Sequence, residues 1–198
     1  SSGITSVEFI AINTDKQTLF ASRATQKIQI GEKLTKGLGA GANPEKGQRA
    51  AEENTEEISA ALKGCDMVFI TAGMGGGTGT GASPVLARIA HELGILTVAV
   101  VTMPLRMEGP GRYDQAVKGI EELNRYVDSL LIIDNEKVRQ MYGKLPIKQA
   151  FGKADDVLGM ATKGIAELIT VEFALVRVDF ADVEKVMRGS GRAHMSVV

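Results

Sequence analysis

A glycine-rich run constrains the fold of this chain more than any other segment. Residues 73–81 read Gly-Met-Gly-Gly-Gly-Thr-Gly-Thr-Gly, which is six glycines in nine residues. Ordered glycine costs backbone entropy, so this density requires a physical reason. The run follows an apolar segment typical of a buried strand, residues 67–71, and precedes apolar residues at helical spacing, 85–93, that end at Gly94. Strand, glycine loop and helix in this order predict an anion site for phosphate, with a tight strand-to-helix turn as the alternative.

Composition excludes several classes of protein. The chain has 198 residues, 44% of them hydrophobic, and a net charge of −1, which fits one domain or one domain and part of a second. The near-zero charge argues against a nucleic-acid partner, and no apolar run approaches the roughly 18 residues of a spanning helix. We therefore expect no direct membrane insertion. The single Cys65 fits a reducing cytoplasm, and Cys65, His91 and His194 show no metal-site spacing, so no metal ligands are predicted.

Apolar periodicity predicts strands that alternate with helices. The predicted strands are residues 7–12, 27–30, 67–71, 95–102 and 129–133. The predicted helices are residues 45–62, 85–93, 113–126, 136–142 and 153–170. This alternation is typical of an α/β fold with a parallel sheet covered on both sides.

Two familiar phosphate-binding classes fit the glycine run poorly. A P-loop needs Lys and then Ser or Thr after its last glycine, and Ala82 and Ser83 stand there. The dinucleotide pattern is met loosely by residues 77–82. However, the next predicted strand, residues 95–102, ends without the carboxylate that binds the ribose. A dinucleotide-dependent oxidoreductase is therefore disfavoured.

The motifs resemble those of the tubulin/FtsZ family of GTPases, whose bacterial members act in cell division. Residues 72–81 resemble the family's tubulin-type signature, and residues 37–45 resemble its second phosphate loop. Shorter family blocks occur in the family's order at residues 13–15, 107–109, 150–152 and 178–183. The resemblance covers nearly the whole chain.

The resemblance implies a Rossmann-like, mostly parallel sheet flanked by helices. Residues 1–152 would form the GTP-binding domain, and residues 153–170 a long central helix. Residues 171–198 would contain the synergy loop and the start of a C-terminal domain. In the family, a strand and another glycine loop precede the point that corresponds to Ser1. A missing central strand exposes sheet edges, and the sequence leaves open whether the functional protein possesses this strand and loop.

The resemblance also assigns phosphate-binding and ribose-binding residues for GTP or GDP. The phosphate residues are Ala40, Gly41, Ala42, Gly75, Gly76, Gly77, Thr78, Gly79, Thr80 and Gly81. Glu108 corresponds to a ribose-binding carboxylate, and Arg112 to a cation that reaches the phosphates. From spacing alone they are an i, i+4 pair, for which a solvated salt bridge on a helix face is the simpler interpretation. Mg²⁺ is expected to be held mainly through phosphates and water.

The guanine site is assigned by the same resemblance to Asn135, Phe151 and Asp155. An aromatic face would stack on the base, while amide and carboxylate groups would read its edge. On sequence pattern alone, Phe151 would be a core residue and Asp155 an acid in the first turn of a helix.

Asp179 and Asp182 are the predicted catalytic residues. They lie three residues apart, so both can project from one face, although Asp182 alone reads as a helix cap. By resemblance, they enter the nucleotide site of a neighbouring subunit and position or activate the attacking water. The site would then be complete only between subunits stacked head to tail, and such contacts generate filaments.

The resemblance leaves two functions open. The first is a self-assembling GTPase at the cytoplasmic division site, with membrane-tethering and regulatory division proteins as partners. Arg177 stands where the family usually has Asn, which favours the second function, a nucleotide-binding assembly or capping protein with little hydrolysis.

Overall fold

The computed structural model describes residues 8–137 and the backbone of residues 191–194. The strands in this part are β1 (Ile10–Asn13), β2 (Gln26–Gln29), β3 (Met67–Gly73), β4 (Leu96–Met103), β5 (Ser129–Asp134) and β6 (Gly191–His194). The α-helices are α1 (Lys16–Ala21), α2 (Glu32–Thr35), α3 (Pro44–Glu53), α4 (Thr55–Leu62), α5 (Thr78–Glu92) and α6 (Pro110–Asn124), and a 3₁₀ turn spans Arg106–Glu108.

All strand pairs in the described residues are parallel, which confirms the α/β prediction. The order β3-β4-β5-β6 forms one sheet, in which Met67 pairs with Leu96 and Val98 with Ser129. Strands β1 and β2 form a separate pair. The single sheet expected from the sequence is thus two sheets, because no described strand is hydrogen-bonded to both.

The centre of the larger sheet is fully enclosed. All eight residues of β4 are buried, which is typical of a parallel strand covered on both faces. Strand β3 is less buried, and its last residue, Gly73, is exposed where the glycine loop begins.

Helix α5 is shared by two hydrophobic clusters. Val85 and Ile89 pack with residues of β2, α3 and α4 in the first cluster. Ala87 packs with residues of β3, β4, β5 and α6 in the second. Burial on both sides of α5 fixes its position, so the loop at its N-terminus is attached to a rigid element.

The helices predicted over residues 45–62 and 113–126 have different bounds in the structure. The helix expected over residues 45–62 is two helices, because Asn54 adopts φ −112° and ψ 24° between α3 and α4. Its side chain accepts from the Gly31 N–H at 2.9 Å and donates to Glu57 at 3.1 Å, as Asn does where it competes with helical hydrogen bonds. Helix α6 begins at Pro110 rather than near residue 113, and Pro is favoured at a first helical position.

The predicted central helix lies outside the described residues, as does most of the helix predicted over 136–142. Phe151, Asp155, Arg177, Asp179 and Asp182 lie outside them as well. Their assignments stay predictions.

Candidate functional site

The glycine run is half loop and half helix. Helix α5 begins at Thr78, so the last part of the run forms its first turn, and the expected start near residue 84 is wrong. Pro84 instead lies inside the helix. Gly77 is the N-cap residue and supplies no side-chain hydrogen bond. The N–H groups of the first turn therefore lack a side-chain cap, at the end of the helix where the dipole favours an anion.

Crowding explains why the run contains glycine. A Cβ atom on Gly77 would lie 2.8 Å from Ala40 Cβ and 2.8 Å from the backbone N of Asn43. One on Gly79 would lie 2.5 Å from the Gly73 carbonyl oxygen. One on Gly81 would overlap the carbonyl oxygen at the start of α3. Backbone packs directly on backbone here, which the alternative of a simple tight turn does not require.

Residues 37–44 form the second loop of the site. Its conformation depends on positive φ angles: 78° at Gly37, 91° at Gly39, 60° at Gly41 and 58° at Ala42. The Asn43 N–H donates to the carbonyl of residue 40 at 3.2 Å, which closes the turn.

The two ends of this turn have different surroundings. The Asn43 side chain accepts from the Glu45 N–H at 3.0 Å and caps α3. Ala40 is buried at the point where the glycine loop crosses it, whereas Gly41 and Ala42 are exposed. The loop therefore presents residues 41 and 42 beside the first turn of α5.

A third segment, at the end of β1, joins both loops. The hydroxyl of the fully buried Thr14 lies 2.7 Å from that of Thr78. The Lys16 N–H donates to the Gly37 carbonyl at 3.1 Å, while the Asp15 side chain caps α1. The sequence identified residues 13–15 only as a family block, and it gave no sign that Thr14 contacts the glycine run.

Buried polar contacts fix the glycine loop from within. Thr80 Oγ1 accepts from the Gly75 N–H at 2.8 Å, and Ser83 Oγ donates to the Gly79 carbonyl at 2.6 Å. The N–H of Met74 donates to the carbonyl of residue 102 in β4 at 2.9 Å. The Thr80 hydroxyl is therefore already hydrogen-bonded to the protein's own backbone.

Glu108 and Arg112 form the expected ion pair, and it lies beside the glycine loop. Arg112 Nη1 donates to Glu108 Oε1 at 3.0 Å, and Glu108 Oε2 accepts from the Leu105 N–H at 2.6 Å. The pair links the 3₁₀ turn to α6 rather than lying along one helix. Arg112 Nη2 is 3.7 Å from where a Cβ on Gly76 would be. The salt bridge expected from the spacing is therefore present, and its Arg112 also lies close to the glycine loop.

Asn135 lies apart from the loops, directly after β5. It is 9% exposed, and its Oδ1 has no hydrogen-bond partner within the described part of the chain. Strand β5 is two positions from β3, which carries the glycine loop, so the two strands are about 10 Å apart. A buried acceptor without a partner is costly, which suits a side chain that receives a donor from a ligand.

Two kinds of feature are absent from residues 8–137 and 191–194. None of the helices in this part is long and apolar enough to cross a membrane. No group of three His, Cys, Asp or Glu side chains in it is arranged to hold a metal ion.

Fold and site together define an α/β domain whose loops, at the carboxyl ends of parallel strands, suit the phosphates of a nucleotide. Residues 2–143 match the model of the Tubulin/FtsZ family, GTPase domain, and the chain belongs to that family. This membership removes the dinucleotide-dependent oxidoreductase from consideration.

Individual relatives agree with the family assignment. Cell division protein FtsZ 1 of Methanocaldococcus jannaschii is 51% identical over 195 residues, which are 98% of this chain and 53% of the relative. A solved structure described as an empty FtsZ dimer from M. jannaschii has 53% identity and a TM-score of 0.90, over 92% of this chain and 53% of that one. A GDP-bound monomer of CetZ1 from Haloferax volcanii has 28% identity and a TM-score of 0.75, over 92% and 55% of the chains. The chain thus spans about half the length of these relatives.

Proposed function

We propose that this chain binds guanine nucleotides, hydrolyses GTP and assembles into the filaments of a cell-division protein. The observation that carries the proposal is the meeting of three backbone segments at the uncapped start of α5: residues 13–16, residues 37–44 and residues 73–78. The relatives described as a division protein, as a dimer and as GDP-bound support it.

The phosphates would bind mainly to backbone N–H groups. Gly76, Gly77 and Thr78 lead into the first turn of α5, where the helix dipole stabilises negative charge. Gly41 and Ala42 would approach from the other loop. Arg112, whose guanidinium lies near Gly76, would neutralise part of the phosphate charge. Mg²⁺ would bind through phosphate oxygens and water and would neutralise charge that develops during transfer.

The base would lie toward β5. The Oδ1 of Asn135, which has no hydrogen-bond partner among residues 8–137, can accept a hydrogen bond from an N–H on the guanine edge, whereas adenine offers a different donor pattern. The two-strand separation from β3 is comparable with the length of a nucleotide from phosphate to base. Phe151 would stack on the ring and Asp155 would complete the recognition of its edge.

Hydrolysis would require a second subunit. Asp179 and Asp182 are assigned to the neighbour's nucleotide, so each site would be completed by head-to-tail association. This proposal includes the division of the chain into a GTP-binding domain over residues 1–152, a central helix over 153–170 and a synergy loop after it. It also includes a cytoplasmic division site and partners that tether and regulate the filament.

Turnover as a function of concentration tests the shared site. Phosphate release per subunit should rise with protein concentration, and Asp182→Ala should bind GTP normally but turn over about 100-fold more slowly. Constant turnover per subunit would place catalysis within one chain. GTP binding with negligible release at every concentration would favour the assembly or capping protein.

A mixing experiment sharpens this test. Gly76→Val is a suitable partner variant. Among the described residues, a Cβ at Gly76 meets only the Arg112 guanidinium, at 3.7 Å, so the change should block phosphates without disturbing the fold. Asp182→Ala has an intact nucleotide site, and Gly76→Val has intact acids. The mixture should therefore recover activity that neither variant has alone. No recovery, with both variants shown to be folded and to associate, would contradict the shared site.

A further inference from the structure

Gln115, on α6, lies between the two phosphate loops. One terminal atom of its amide is 3.2 Å from the carbonyl oxygen of Gly75 and 3.3 Å from that of Ala42. This atom is assigned as Nε2 from its surroundings, because an oxygen in its place would face two acceptors. Each N–H of one amide group thus reaches a different loop.

Both of these carbonyls belong to residues in unusual backbone conformations. Gly75 has φ +108°, and Ala42 has φ +58°, a conformation that is sterically unfavourable for a non-glycine residue. Such conformations persist where surrounding contacts hold them. The Gly75 N–H is already held by Thr80 Oγ1 in α5, so the Gln115 contact fixes the other side of the same residue.

We infer that Gln115 is a positioning residue, which holds the two loops at the separation that a nucleotide's phosphates require. The inference rests on the proposed nucleotide site. A ligand that contacts both loops must order them relative to one another, and a bridge formed in advance reduces that entropic cost. We therefore expect Gln115 to contribute more to the affinity of a ligand that carries more phosphates.

Two substitutions at residue 115 separate the effect of bridging both loops from the effects of side-chain size and polarity. Gln115→Met keeps the length and loses both donors. Gln115→Asn keeps both donors but is one methylene too short to reach both carbonyls. Each should weaken GTP binding about 10-fold, the scale of one or two hydrogen bonds, with a smaller loss for GDP and little loss for GMP. The matched control is Gln48→Met, which removes an exposed amide bonded only to Glu52 and should change GTP affinity less than about 2-fold.

Hydrogen exchange without nucleotide provides a second measurement. In Gln115→Met, the amides of residues 41–43 and 75–77 should exchange about 10-fold faster than in the wild type, while those of β4 remain unchanged. A mere loss of fold stability would accelerate exchange throughout and weaken all three nucleotides equally, and this result would overturn the positioning role.

The outcomes distinguish this inference from the proposed function. Wild-type affinities in both variants, or unchanged exchange in both loops, would overturn the role of Gln115 while leaving the nucleotide site in place. If the wild-type protein bound no guanine nucleotide, the proposed function would fail, and the positioning role with it.

Discussion

The two loops of the site are both rich in glycine, but for different physical reasons. In residues 73–81 the space around Gly77, Gly79 and Gly81 is filled: Gly77 has an ordinary φ of −82°, yet a side chain there would collide with Ala40 and Asn43. In residues 37–44 the space is more open. A Cβ atom on Gly41 would meet no atom of the described residues within 4 Å, yet the φ of Gly41 is +60°.

This difference determines what each loop tolerates. A crowded glycine cannot be replaced without moving backbone, whereas a glycine required by its φ can be replaced at moderate cost by a residue that accepts the left-handed region. The second loop already contains such a residue, Ala42, at φ +58°. The first loop is therefore constrained by its own packing.

The largest effect is expected at Gly81. A side chain there would overlap the Pro44 carbonyl oxygen and lie 2.7 Å from the Gln48 backbone N, and neither atom can move without shifting α3. Gly81→Ala should lower the free energy of unfolding by about 3 kcal/mol, the upper range for overpacking. Denaturant unfolding measures this, and a loss below about 0.5 kcal/mol would show that α3 and α5 are not packed as described.

A smaller effect is expected at Gly41. Gly41→Ala meets no atoms but places a side chain at φ +60°, so it should cost about 1 kcal/mol. Gly41→Asn should cost less, because Asn tolerates this region better. If both variants were destabilised equally and by several kcal/mol in denaturant unfolding, crowding would operate in this loop too, and the comparison would fail.

The smallest effect, of opposite sign, is expected at Gly111 in the first turn of α6. Its surroundings are open and its φ is not positive, so neither reason for glycine applies. Gly111→Ala should stabilise the protein by about 0.5–1 kcal/mol, because alanine loses less backbone entropy in a helix. A thermal unfolding midpoint that falls would indicate a constraint on Gly111 that the structure does not show.

The sequence predicted the strand, loop and helix around residues 73–81 because apolar periodicity and glycine density are local signals. It placed the start of α5 too late, since glycine and threonine are poor helix formers and only burial against α3 and α6 makes residues 78–81 helical. Local pattern also could not show that Asn54 divides a helix, because its partner Gly31 lies 23 residues away. The contacts of Thr14 with Thr78 and of Gln115 with both loops are equally non-local.

The candidate site residues also divide into those that local sequence motifs identified and those whose surroundings only the structure shows. Family motifs led to Ala40, Gly77 and Arg112, which the fold brings together around one loop. Asn135 was assigned by resemblance alone. That its Oδ1 is buried and has no hydrogen-bond partner in the described part of the chain could be found only from the structure.

Titration with GDP, followed through the chemical shifts of the backbone amides, decides whether these loops form the nucleotide site. The largest shift changes should occur together at residues 40–42 and 76–80, with a further change at Asn135 and little change in the helices α3 and α4. Binding that left both loops unperturbed, or that shifted only amides far from the start of α5, would contradict the assignment of these loops as the nucleotide site.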